Sequence, residues 1–188
     1  MKNAFALVAV AGVAAAASAQ SININVADAT LAPGESTTVT LTAGYGGTDY
    51  AIAGIATNFV SSGGSDGWSD LALIAPMAGP GTSVVAASGT GVNGIIAGQL
   101  NFPPAMIYAD ATNPIAFWSA TYTASAEGVF ELSTDTSKFD VYIDRMRSTS
   151  ESRLADLSEG AGTITVIPAP ASLALLGLGG LAAARRRR

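Results

Sequence analysis

Ser21-Ile22-Asn23-Ile24-Asn25-Val26 alternates polar and apolar side chains one by one, and that period of two decides the fold. Successive side chains of a strand point to opposite faces, so Ile22, Ile24 and Val26 share one face and Asn23 and Asn25 the other. Ala32-Pro33-Gly34-Glu35 follows, with Pro33 and Gly34 at the positions a type II turn prefers. Residues 37–42 repeat the alternation, with Val39 and Leu41 on one face and threonines on the other. The same pattern predicts strands at 52–60, 71–75, 83–87, 95–102, 115–123, 129–133, 138–143 and 163–167. Within 138–144, Phe139, Val141 and Ile143 are expected inward and Asp140, Tyr142 and Asp144 outward. Gly63-Gly64-Ser65-Asp66-Gly67 and Gly79-Pro80-Gly81 read as loops. Between the two ends of the chain, only residues 151–158 suggest a helix, and they are short and polar enough to be a loop. The expectation is an all-β, antiparallel β-sandwich over residues 20–166.

Composition limits the chemistry of that body. The 188 residues include no cysteine and no histidine. Disulfides, thiolate nucleophiles and zinc–thiolate sites are thereby excluded, as is the commonest general base. A Ser-His-Asp hydrolase cannot be assembled without histidine. The net charge of −5 hides an uneven distribution. Five of the nine basic residues sit at the ends, leaving Lys138, Arg145, Arg147 and Arg153 against fourteen acids, a balance of −10. Such a surface repels phosphate backbones, so nucleic acid is not an expected partner. No glycine-rich phosphate cradle precedes a helix, and no cofactor is expected.

Residues 1–19 have the three parts of a secretory signal helix. Lys2 supplies the positive start, residues 5–17 are uncharged and mostly apolar, and Ala17-Ser18-Ala19 supplies small residues before a cut at Gln20 by signal peptidase. At the other end, Pro168-Ala169-Pro170 precedes an uncharged segment of Ala, Leu and Gly at 171–184 and then Arg185, Arg186, Arg187 and Arg188. The segment is short of the roughly 20 residues usual for a span. It is therefore expected to be a thin, easily extracted transmembrane helix, with the arginines held on the cytoplasmic side. This order of parts resembles the PEP-CTERM sorting domain, with Ala169 standing where that pattern has glutamate. The resemblance covers residues 167–188. It implies recognition by an exosortase-type transpeptidase near Pro168-Ala169-Pro170, an inner-membrane-anchored precursor, and a final place at the cell surface or in the extracellular matrix.

The body resembles the cohesin-like jelly roll, a fold shared with some carbohydrate-binding modules. The matching parts are Thr30-Leu31-Ala32-Pro33-Gly34-Glu35-Ser36, Ile52-Ala53-Gly54-Ile55 and the hairpin at 124–130. The resemblance implies the fold, and the body is expected to act as a structural or adhesive module. The alternative is a carbohydrate-binding module that grips exopolysaccharide on exposed rings. Trp118 and Tyr122, four apart on one strand, point the same way and could form a sugar platform with Trp68, or else pack the core. Asp66 and Asp70 flank Gly67-Trp68-Ser69 and suggest a Ca²⁺ loop, although two acids fall short of a full oxygen set and a polar turn explains them as well. Asp140 and Asp144, about 13 Å apart on a strand, are too distant for a retaining glycosidase pair. The body is expected to be non-enzymatic.

Overall fold

The computed structural model describes residues 20–99 and 108–168. Twelve strands run in chain order: β1 Gln20–Val26, β2 Thr30–Leu31, β3 Ser36–Gly44, β4 Ala51–Ser61, β5 Trp68–Leu73, β6 Ala87–Ser88, β7 Gly91–Gly98, β8 Ile115–Thr123, β9 Gly128–Tyr142, β10 Ser150–Ser152, β11 Leu157–Ser158 and β12 Ala161–Val166. They form two sheets. The first has the order β11-β1-β3-β8-β5, and the second β2-β12-β9-β4-β7-β6 with β10 paired to β9. Pairing is antiparallel except where β1 meets β11 and β2 meets β12. Both ends of the fold change sheets: the chain leaves β1 in the first sheet for β2 in the second, and leaves β11 in the first for β12 in the second.

The alternating sequence explains why the sheets face each other. Ile22, Val39, Leu41, Phe117, Trp118 and Ala120 from the first sheet meet Ile52, Ile55, Phe59, Val92, Ile95, Leu132, Phe139 and Ile164 from the second in one core. The expected turn at residues 32–35 is found. Gly34 has φ +86, which glycine adopts without steric cost, and the Glu35 N–H donates to the Ala32 carbonyl at 3.0 Å.

Several boundaries differ from expectation. The strands expected at 129–133 and 138–143 are one strand, β9. The polar run Thr134-Asp135-Thr136-Ser137 resembles a turn, but β4 pairs with Thr134, Asp135 and Thr136, and a register shift between Ala56 and Thr57 leaves Ser137 as the bulged residue. The Glu159 carboxylate holds the run further, accepting from the Thr136 N–H at 2.9 Å and from the Thr134 and Thr136 hydroxyls. The strand expected at 83–87 shrinks to β6 and a single bridge from Ser83 to Ile96. Ile143, expected inward, is exposed because β9 stops at Tyr142. Tyr142, expected outward, is buried instead, packed with Ala51, Ala53 and Ala109 in a small second cluster. Residues 151–158 hold only a 3₁₀ turn, Leu154–Asp156, between two short strands. Among the described residues no helix is long and apolar enough to cross a membrane. The expected signal helix and the expected span at 171–184 lie outside them.

The outward face of the first sheet is built from short uncharged side chains in register. Asn23 stands beside Thr42, which stands beside Ala116. The next rung is Asn25, Thr40, Ser119 and Ala72. Thr38, Thr121 and Ser69 form the third, and Ser36 and Thr123 the fourth. The strands β1, β3 and β8 that carry these rungs contain no charged residue.

Candidate functional site

Both expected processing points lie at the edges of this sandwich. Gln20 opens β1, and its backbone pairs with Leu157. Its buried side chain donates from Nε2 to Asp49 Oδ2 at 2.8 Å. The same carboxylate receives a two-pronged grip from Arg153, Nε to Oδ2 at 3.1 Å and NH2 to Oδ1 at 2.9 Å. Hydrogen bonds to Asp49 first, and to Glu151 second, push the Arg153 guanidinium pKa up. At the other end, the Ile167 N–H donates to the Leu31 carbonyl at 2.9 Å, and the next residue, Pro168, is exposed. Proline has no N–H to continue a ladder, so strand pairing stops where the expected sorting motif starts. Ala17, Ala19, Ala169, Pro170, Arg185, Arg186, Arg187 and Arg188 lie outside the described residues.

The aromatic platform is corrected by the structure. Trp118 is 0% exposed, Tyr122 3% and Trp68 9%. Their rings join Phe59 in one cluster: Phe59 to Trp68 at 4.8 Å edge-on, Phe59 to Trp118 at 5.2 Å, and Trp68 to Tyr122 at 4.9 Å. A ring packed on other rings between two sheets has no face left for a sugar. Trp118 and Tyr122 do point the same way, but inward, because the large apolar side chains of β8 fill the space over Phe59.

Asp66 and Asp70 are both exposed, and no group of three or more potential ligands gathers among the described residues. Asp70 adopts φ +52 and accepts the Ser69 hydroxyl at 3.2 Å. Asp140 is paired with Lys138 at 3.1 Å. Asp144 lies beyond β9 in a turn, where its two oxygens accept from the N–H groups of Met146, Ser148 and Thr149 and from the Ser148 hydroxyl. Those donors hold its carboxyl below the usual aspartate value, the Ser148 hydroxyl most of all. Asp144 shapes a loop.

The surface feature that sequence reasoning missed lies on the outward face of β4, β7 and β9. Ile96 is 44% exposed there and Val85 53%. Val85 crosses β7 at Gly94, where an added Cβ would come 3.1 Å from its methyl. Gly94 itself, at φ +68, is fixed by its N–H donating to Asn58 Oδ1 at 2.9 Å. Beside Ile96 a dimple of about 160 Å³ is lined by Gly54, Thr82, Lys138, Asp140 and Tyr142 among others. It is smaller than the ~300–1,000 Å³ typical of small-molecule sites. An aliphatic pair next to a charge pair suits contact with another macromolecule better than enclosure of a substrate. No sequence signal marked it, because Ile96 follows a bulge that puts Ile95 inward and Ile96 outward.

Residues 166–188 match a family model described as the PEP-CTERM protein-sorting motif. The protein carries a PEP-CTERM sorting motif. The match begins at the last residue of β12, so the motif starts where the sandwich ends. A PEP-CTERM motif indicates export and sorting to the cell envelope or surface. The fold is similar to that of cohesin modules. A cohesin module of a family 33 glycoside hydrolase from Clostridium perfringens aligns at TM-score 0.56 and 10% identity, over 81% of this chain and 99% of that one. The seventh ScaB type I cohesin of Pseudobacteroides cellulosolvens aligns at 0.56 and 15%, over 79% and 93%. A type I cohesin solved in complex with a dockerin, from Clostridium thermocellum, aligns at 0.51 and 15%, over 78% and 99%. At these identities the likeness shows a cohesin-like β-sandwich and nothing finer. No curated protein matches the chain.

Proposed function

We propose that this is a non-enzymatic cell-surface protein. In this reading its PEP-CTERM motif directs exosortase-type processing, and its cohesin-like sandwich serves as an adhesive, protein-docking module. The observation that carries the sorting half is the abrupt exit at Pro168. The family match begins at the final strand residue, and the ladder bond from Ile167 to Leu31 is followed directly by exposed Pro168, which has no N–H to extend the pairing. Signal peptidase removes residues 1–19, the arginine-flanked segment delays the precursor at the inner membrane, and cleavage near Pro168-Ala169-Pro170 hands the sandwich to the surface or matrix. Mass spectrometry of the mature protein from its native envelope tests this. A C-terminus near residues 168–170 is expected, and recovery of an intact Arg188 end in the mature pool refutes it.

The docking half rests on the β4–β7–β9 face. Exposed Ile96 and Val85 provide an apolar anchor beside the Lys138–Asp140 pair. A cohesin of similar fold is known in complex with a dockerin, which supports a protein partner for such a module. Cells carrying Ile96→Arg at an unchanged surface amount are expected to lose cohesion. Wild-type aggregation from that variant sinks the assignment of this face.

A further inference from the structure

We propose that the opposite face of the sandwich, the outward side of β1, β3 and β8, is a second docking surface that takes an extended, uncharged polysaccharide. The body carries a balance of −10, yet these three strands hold no charged residue, and acids meet this face only at its borders, with Asp70 on the edge strand β5 and Glu159 beside β1. Thr38, Thr40, Ser119 and Thr121 sit in neighbouring rungs, and among the described residues none of their hydroxyls has a side-chain partner. Each hydroxyl offers one donor and two acceptor sites, the complement of a sugar hydroxyl. The rungs repeat about every 6.6 Å along the strands and about 4.8 Å across them, so a linear polymer meets the same chemistry at each step.

A second feature gives the face a concave border. Where β1 runs beside the turn from β11 to β12, a groove of about 490 Å³ is lined by Asn23, Asn25, Thr42 and Glu159 with Ile24 and Pro114 among others. Amides and a hydroxyl set against aliphatic surface provide both kinds of contact a pyranose ring presents. Other occupants fit less well. A second copy would bring two bodies of like charge face to face, and a polyanion would meet the same repulsion. A protein partner seeks aromatic or arginine anchors, and no outward side chain of these rungs is larger than asparagine. The surface does not depend on the β4–β7–β9 reading, and the two lie on opposite faces, so one molecule could join a protein to a polysaccharide.

The test uses the purified full chain in a polyoxyethylene detergent, mixed with microcrystalline cellulose, curdlan and polygalacturonate. Depletion by at least one of the two neutral polymers is expected, with none by the anionic one. The triple variant Thr38→Val, Thr40→Val, Thr121→Val keeps β-branched side chains and removes three hydroxyls. It is expected to weaken binding tenfold or more, or about 1.4 kcal/mol, while Ile96→Arg binds as wild type. Should the triple variant show altered tryptophan emission, Thr40→Asp alone is expected to give the same loss. Failure of both neutral polymers to deplete the wild type, equal binding by the triple variant, retention by polygalacturonate instead, or loss only of self-association would each overturn the proposal.

Discussion

Replacing Trp118 by alanine separates the buried reading of the aromatics from the surface reading more sharply than any ligand screen. The side chain is fully buried and its ring lies 5.2 Å from that of Phe59. Truncating a buried Trp to Ala costs about 3–5 kcal/mol, the sum of lost transfer energy and the cavity left behind. At roughly 2–4 °C per kcal/mol for a domain of this size, the melting temperature should fall by roughly 6–20 °C. Against a total stability of about 5–15 kcal/mol, that is a large fraction of what holds the sandwich folded. Circular dichroism melts of the two purified proteins provide the measurement. Trp118→Phe supplies the control: among the described residues the indole Nε1–H has no partner, so phenylalanine loses volume but no hydrogen bond and should cost much less. An exposed sugar platform predicts the reverse, a change within about 0.5 kcal/mol. A Trp118→Ala melting point within about 2 °C of wild type would therefore refute the core assignment.

The remaining expectations concern one ion pair, one titration and one glycine. Arg153→Met strands the Asp49 carboxylate, whose side chain is 3% exposed, with Gln20 as its remaining donor; the urea midpoint should fall further than in the double variant Asp49→Asn, Arg153→Met, and equal midpoints would contradict this coupling. Hydrogen bonds from Ser148 depress the Asp144 carboxyl, and those from Thr112 depress the Asp110 carboxyl. A depressed acid stabilises fully above its unfolded value near ~3.9 and loses that contribution as pH falls through the lower folded value. The protection of the Met146, Ser148 and Thr149 amides, taken as the slowing of exchange relative to the unstructured rate at each pH, should therefore be steady near neutrality and fall only in that acid range, and a fall at pH 5–6 instead would count against the Asp144 clamp. Gly91 adopts φ +146, and an added Cβ would run into the Phe59 carbonyl oxygen of the neighbouring strand; Gly91→Ala should cost about 1–3 kcal/mol in a urea melt, and a neutral result would mean β4 and β7 are not this closely apposed.

Much of the fold was legible because burial imposes a period of two. Ile22, Val39, Leu41 and, in β8, Trp118, Ala120 and Tyr122 fall where alternation put them, while a bulge buries Phe117 beside Trp118. Legibility failed where pairing rather than patterning decided the outcome. Nothing local in Thr134-Asp135-Thr136-Ser137 signals a strand interior; it is held by β4 and by Glu159, 23 residues beyond Thr136. The same holds for sites. The sorting motif is contiguous and could be read directly, whereas Asp49 and Arg153 are 104 residues apart and no local pattern connects them. For the aromatics, the sequence gives direction along β8 but not which side of the sheet is covered, and only the second sheet settles that Trp118 and Tyr122 face inward.

The way β12 leaves the fold has a mechanical consequence. It is flanked by β9 on one side and by the short β2 on the other, and the chain continues from its end toward the sorting motif. If the sandwich is tethered through that end and pulled from elsewhere, tension runs along the strand axis. The ladder bonds lie across that axis, so they resist as a set rather than parting one at a time. A tether placed there loads the module in shear, the direction in which a sheet is strongest.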